Sequence, residues 1–275
     1  EFPMSSRLLA GALSTLLAIN LPMLSLASQA AEPASQLLQL HQLRLAAQKS
    51  LGDFYMFNGM EGDQRYERMI NESLAAASGH LEALVEMPGD ASKALRTQLE
   101  QQWQDYRADL NTLTTALKTN GFTDLQPVAD LANSNSQLMA LSLELYNRLQ
   151  QESAYKVSPM AQRSREQSLL MQAIAVDYAS RSASVGATFI GGGESRPIEE
   201  LVSEFASTLA VLEKEPKNSG QLRQSWGNVA TKWRYIEKSL INYNENSVPF
   251  LVNKYAETII QGCEEIAGQY ATRQL

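Results

Sequence analysis

An arginine and two glutamines, Arg44, Gln48 and Gln172, interrupt otherwise apolar helical stretches and are this chain's strongest candidates for chemistry. Arg44 and Gln48 are four positions apart, so on a helix both project from one face. A guanidinium and a carboxamide held together between helices offer directed donors for a small oxyanion or acidic ligand. The same residues also fit an exposed stripe or an internal hydrogen bond. On spacing alone, Arg44, Gln48 and Gln172 are the ligand-binding candidates.

Other reactive residue types are sparse and poorly spaced. The two histidines, His41 and His80, fall on separate predicted helices, and no His-x-x-His, Glu-x-x-His or Cys/His cluster supports a metal or haem. His41, in a polar stretch, reads as a surface residue. Ser153-Ala154-Tyr155-Lys156 matches Ser-x-x-Lys by letter but lacks the partner motifs of that enzyme class. The glycines at 191–193 precede a predicted helix start and could cradle an anion, or simply form an interhelical loop. Glu199-Glu200 and Glu264-Glu265 are sequence neighbours that diverge on a helix and read as a solvated face. No catalytic residue, metal or cofactor is expected, and the chain reads as a non-enzyme.

The elements that must position these residues are helices. Apolar residues recur at three- and four-residue spacing almost throughout, without alternating strand-like runs. Helices are expected over about residues 35–58, 63–86, 91–119 and from 125 through 149. The stops between them are Asn58-Gly59, Pro88-Gly89-Asp90 and Asn120-Gly121. Ser158-Pro159 then reads as an N-cap with proline in the first turn, opening a helix coaxial with the preceding one. Three more follow, ending with one that begins at Ser247-Val248-Pro249.

Much of this is written twice. Residues 169–178 (LLMQAIAVDY) align with residues 45–54 (LAAQKSLGDF) at an offset of 124, placing Gln48 on Gln172 and Asp53 on Asp177. Leu81 and Leu84 match Leu209 and Leu212 at 128, Trp103 matches Trp233 at 130, and Leu131 matches Leu251 at 120. The offset drifts only across predicted turns, where insertions are tolerated. The expected architecture is all-α: two tandem up-down-up-down four-helix bundles, residues 31–156 and 157–275, forming an elongated rod.

Residues 1–30 are set apart. Glu1-Phe2-Pro3 precede Met4 and read as a cloning scar. Arg7, the uncharged run at 8–26 and Ser28-Gln29-Ala30 then have the three parts of a signal peptide cleaved after Ala30. Pro22 and the small-residue site favour cleavage over retention as an anchor. The expected address is the periplasm or the exterior. A net charge of −7 disfavours nucleic acid. The single cysteine, Cys263, allows no internal disulfide and falls on an apolar helical stripe, as a buried thiol would.

Leu43-Arg44-Leu45-Ala46-Ala47-Gln48, and more loosely Gln167-Ser168-Leu169-Leu170-Met171-Gln172, resemble the Gln-Arg-Met-Leu-Ser-Gln signature in the first helix of PilJ-type sensor domains. These are periplasmic helical domains of pilus chemotaxis receptors, similar to the nitrate-sensing domains of NarX-like kinases. The resemblance implies that Arg44 contacts an anion in the first copy, whereas Ser168 stands at its place in the second. With no second membrane helix or signalling coiled coil after Leu275, it implies a free-standing module that signals through a membrane receptor or sensor protein. The alternative is a structural or secreted helical protein, without a small-molecule ligand, that oligomerises or holds partners.

Overall fold

Turn chemistry cuts the chain into helices at nearly every place where glycine, proline and short polar residues cluster. The computed structural model describes residues 21–184 and 196–273, with side chains from Glu32 onward. Among the described residues there are eight helices and no strand. They are α1 (Leu21–Gly59), α2 (Gln64–Glu82), α3 (Asp90–Asn120), α4 (Leu125–Glu152), α5 (Pro159–Ala183), α6 (Ile198–Glu213), α7 (Gly220–Ile241) and α8 (Pro249–Arg273). The protein is all-α. Asp63 opens α2 by accepting the Arg65 amide, and Ser219 opens α7 by accepting that of Leu222. Each supplies an acceptor that the first helical turn lacks. Gly121 ends α3 at φ 77°, a left-handed value that glycine adopts without a Cβ clash.

The apolar run expected as an export signal lies largely before residue 21, outside the described residues, and so do the glycines at 191–193. Among the described residues no helix is long and apolar enough to cross a membrane.

Apolar stripes gather into two cores. One joins α1 to α4 and includes Phe54, Leu99, Trp103, Tyr106 and Leu145, with Val176 and Ala179 added from α5. The other joins α5 to α8 and includes Phe205, Trp226, Trp233, Ile259 and Cys263. Each large side chain so buried contributes about 1.5–3 kcal/mol. The aligned pair Trp103 and Trp233 holds matching places, one in each core. The copies are not identical, however: α1 pairs most closely with α2, whereas α5 pairs most closely with α8. Small buried residues, Ser73 and Ala77 on α2 and Ala256 and Ala267 on α8, permit those close approaches.

α5 does not continue the line of α4. Coaxial helices would hold residues 146 and 162 about 24 Å apart, yet the Tyr146 hydroxyl donates to Gln162 Oε1 at 2.7 Å. The chain reverses between them, and α5 comes back alongside α1. There Gly52 faces Val176 and Gly59 faces Ala183. Both pairs differ by 124, so α1 and α5 run parallel, and their register in space equals the offset of the sequence repeat. The expected coaxial run is thus replaced by a side-by-side seam. Glycine is used at Gly52 for close approach, since a Cβ there would stand 3.1 Å from Val176 Cγ2.

Candidate functional site

The seam between α1 and α5 is not uniformly apolar. A polar layer crosses it, built from His41 and Arg44 on α1, Tyr146 on α4, Gln162, Arg165 and Ser168 on α5, and Glu264 on α8. Its centre is Glu264, whose Oε1 accepts from His41 Nε2 at 2.7 Å and from Ser168 Oγ at 2.5 Å. Its other oxygen accepts from Gln42 Nε2 at 2.6 Å. A carboxylate only accepts, so His41 carries its proton on Nε2. Beside this group Arg165 Nη1 donates to the Tyr146 hydroxyl at 3.3 Å, and Tyr146 in turn donates to Gln162 Oε1.

Burial sets the protonation states. His41 is 1 % exposed, and desolvation pulls its pKa below the ordinary 6.5. The hydrogen bond and charge of Glu264 offset part of this, while Arg165 and Arg44 reinforce it. The imidazole is therefore neutral at pH 7. Burial pushes Glu264 up, but the bonds from His41 and Ser168 and the charge of Arg165 hold it below the ordinary carboxylate value. Burial also lowers the pKa of Arg44, against the opposing pull of Tyr146 and Glu166.

Two guanidinium groups therefore share this layer. Arg165 is 7 % exposed, and both Arg165 and Arg44 influence Tyr146 and His41 electrostatically. Neither has a carboxylate within ion-pair distance among the described residues, and the Nε of each is buried without a hydrogen-bond partner. Gln48 Oε1, one turn beyond Arg44, is also buried and unpartnered. Unpaired buried donors on a charged group are costly, by several kcal/mol where desolvation is complete. Each of these Nε groups is a donor suited to an oxyanion. A Ser, a His and a Glu also meet here, but not as a catalytic relay. Ser168 and Glu264 both approach the same ring nitrogen, with Ser168 at 3.5 Å, whereas a relay needs nucleophile and orienting acid on opposite nitrogens of the base.

Of the expected ligand residues, Arg44 lies in this layer and Gln48 one turn along the same face. Gln172 is buried at 6 % exposure, one turn before Val176 on the facing stripe of α5. Three expectations are corrected. His41 is a core residue, not a surface one, because α5 and α8 cover the face of α1 that α2 and α4 leave open. Glu264 turns inward from its acidic pair, while Glu265 stays exposed. The second copy also has its own arginine: at an offset of 124 Arg165 falls on His41, one turn from Ser168. Sequence reasoning looked only at the position opposite Arg44. The repeat carried the missing signal, since each copy places one arginine on the stripe at a different turn.

A second polar group lies one turn on. Lys49 bridges Asp53 at 2.8 Å and Glu257 at 3.0 Å, and Ser73 donates to Asp53. Here one lysine serves two carboxylates, and burial raises the pKa of Asp53. Cys263 is buried, and desolvation raises its thiol pKa, so it acts as packing. No group of three or more metal-ligating side chains occurs among the described residues.

Comparison with protein-family models, characterised proteins and solved structures gives no match for this chain.

Proposed function

We propose that this chain is an exported, non-enzymatic sensory or adaptor protein of the PilJ-like helical kind, working in the periplasm in a chemotaxis-type signalling role. In this reading residues 31–156 and 157–275 are two up-down-up-down four-helix bundles lying alongside one another, and their shared α1–α5 seam takes a small anionic ligand. The observation that supports it is the pair of unpartnered guanidinium Nε groups, on Arg44 and Arg165, beside the buried Gln48 carbonyl oxygen. Binding would bias the packing of α1 against α5, and a membrane receptor or sensor protein would read that change.

A thermal-shift series with nitrate, phosphate and small dicarboxylates tests this. A ligand of the folded state raises the melting temperature by mass action, by about 2.7 kcal/mol of stability at a hundred times its Kd. Arg44→Ala and Arg165→Ala should each abolish the shift while Lys93→Ala leaves it intact. A shift that survives in both arginine variants refutes the site.

The other reading, a structural helical protein that oligomerises without a small ligand, has one observation in its favour. Phe122, Leu125, Ile241 and Phe250 are all more than half exposed at the α3–α4 and α7–α8 turns. Those turns lie at one end of the molecule, tied by Lys118–Glu67 at 2.6 Å and by Arg65 above the Phe250 ring. A homo-oligomer seen by light scattering, and dispersed by Phe122→Ser with Phe250→Ser, would favour it.

A further inference from the structure

At the opposite end of the first core, residues 83–89 link α2 to α3 and lie against residues 32–36 of α1 and the end of α4. They leave a hollow of about 170 Å³. Its apolar wall is Pro33, Met87, Pro88 and Leu149, and its polar side groups are Glu32, Gln36, Glu86 and Ser153. No lysine, arginine or histidine lines it. Gln36 is only 6 % exposed, and its Oε1 has no partner among the described residues. Just behind, Glu152 packs against Gly89 with Oε2 likewise buried and unpartnered.

The carboxyl groups of Glu32 and Glu86 both line this hollow. Neighbouring carboxylates repel one another, and Glu86 in this way raises the pKa of Glu32. The nearest cations lie behind the wall made by Glu86 and Met87, in a more open hollow of about 460 Å³. They are engaged there: Lys93 meets Asp90 at 3.6 Å, and Arg96 binds Glu100 and the Leu84 carbonyl. The smaller hollow thus presents acceptors on one side, hydrocarbon on the other and no positive charge.

We propose that this hollow binds a small primary alkylammonium ion. An ammonium group has three N–H donors, which match the Glu32 and Glu86 carboxylates and Gln36 Oε1, and its charge offsets the repulsion between the two carboxylates. The alkyl body lies against Pro33, Met87 and Leu149. A divalent metal fits less well, since it takes six or more oxygens and half of this lining is apolar. A ligand with its own carboxylate would meet only acceptors. The site is separate from the arginine layer, two helical turns further along α1, and of opposite sign.

Calorimetric titration of the full chain with n-butylamine at neutral pH tests the proposal, with n-butanol as the uncharged equivalent. One saturable site is expected for the amine and none for the alcohol. Glu86→Gln should weaken amine binding about tenfold or more, the loss of one charge-assisted hydrogen bond, and Glu32→Gln with Glu86→Gln should abolish it. Both glutamates are exposed, so these changes leave the core intact, which circular dichroism checks. Arg44→Ala should leave amine binding unchanged, which separates this site from the anion site. No saturable heat with the amine, equal binding of n-butanol, or undiminished affinity in the double variant would each overturn the proposal.

Discussion

His41 stays neutral against Glu264 because burial costs the imidazolium more than one carboxylate returns. Its folded pKa lies below the unfolded 6.5, so the stability linked to it is fully present above pH 6.5 and is lost as pH falls below that value toward the folded pKa. Glu264, also depressed, acts in a separate window: its contribution is present above its unfolded 4.5 and lost as pH falls further. Melting temperature should therefore decline in two acid steps, and His41→Leu should diminish the upper one, to which His80, also lowered by burial, adds. An unchanged upper step in that variant would place the titration elsewhere. The two arginines make a second residue-scale prediction. Replacing an unpaired buried charge by a side chain of similar length removes its desolvation cost. Arg165→Met should remove any anion-induced shift in thermal melts, while its effect on stability balances the relieved desolvation against the lost Tyr146 hydrogen bond and the lost attraction to Glu264.

At the scale of elements, the α1–α5 seam depends on small residues at two successive levels. Gly52 and Gly59 let the parallel helices approach at Val176 and Ala183. Gly52→Leu should force them apart and cost about 1–3 kcal/mol, as overpacking does, with Gly52→Ala milder because Val176 needs to yield by only a few tenths of an ångström. Gly262, where a Cβ would stand 2.8 Å from Val229, sets the α7–α8 approach in the same way. The aligned tryptophans differ in detail: Trp103 Nε1 donates to Ser78 Oγ at 3.1 Å, whereas Trp233 Nε1 is unpartnered and its ring stacks on Phe205 at 4.3 Å. Trp103→Ala and Trp233→Ala should each cost about 3–5 kcal/mol in chemical denaturation.

Over the whole molecule, the seam between α1 and α5 pairs positions 124 residues apart, the same offset at which the sequence aligns with itself. α5 lends Val176 and Ala179 to the first core, so that core is incomplete without it. Residues 31–156 expressed alone would expose the α1 face that α5 normally covers. They should pair through α1 in the same parallel register, giving a dimer in light scattering. A stable monomer would show that α5 is dispensable to the first core.

The helices, most of their ends, the duplicated stripe and the buried Cys263 were legible in the sequence. Each follows from local chemistry: residue spacing, caps and turn residues act within a few positions of themselves. Arg44, Gln48 and Gln172 could be singled out because polar groups on an apolar stripe violate that local pattern. His41, Glu264 and Arg165 could not be placed in one layer that way. A stripe says which face of a helix is buried but not which helix buries it, and α1 is covered on several sides by α2, α4 and α5. Only the reversal between Tyr146 and Gln162 decided that α5 returns along α1 and does not extend α4. That reversal is set by the cores that form on either side of it, so it is a property of the packed molecule and not of any one segment.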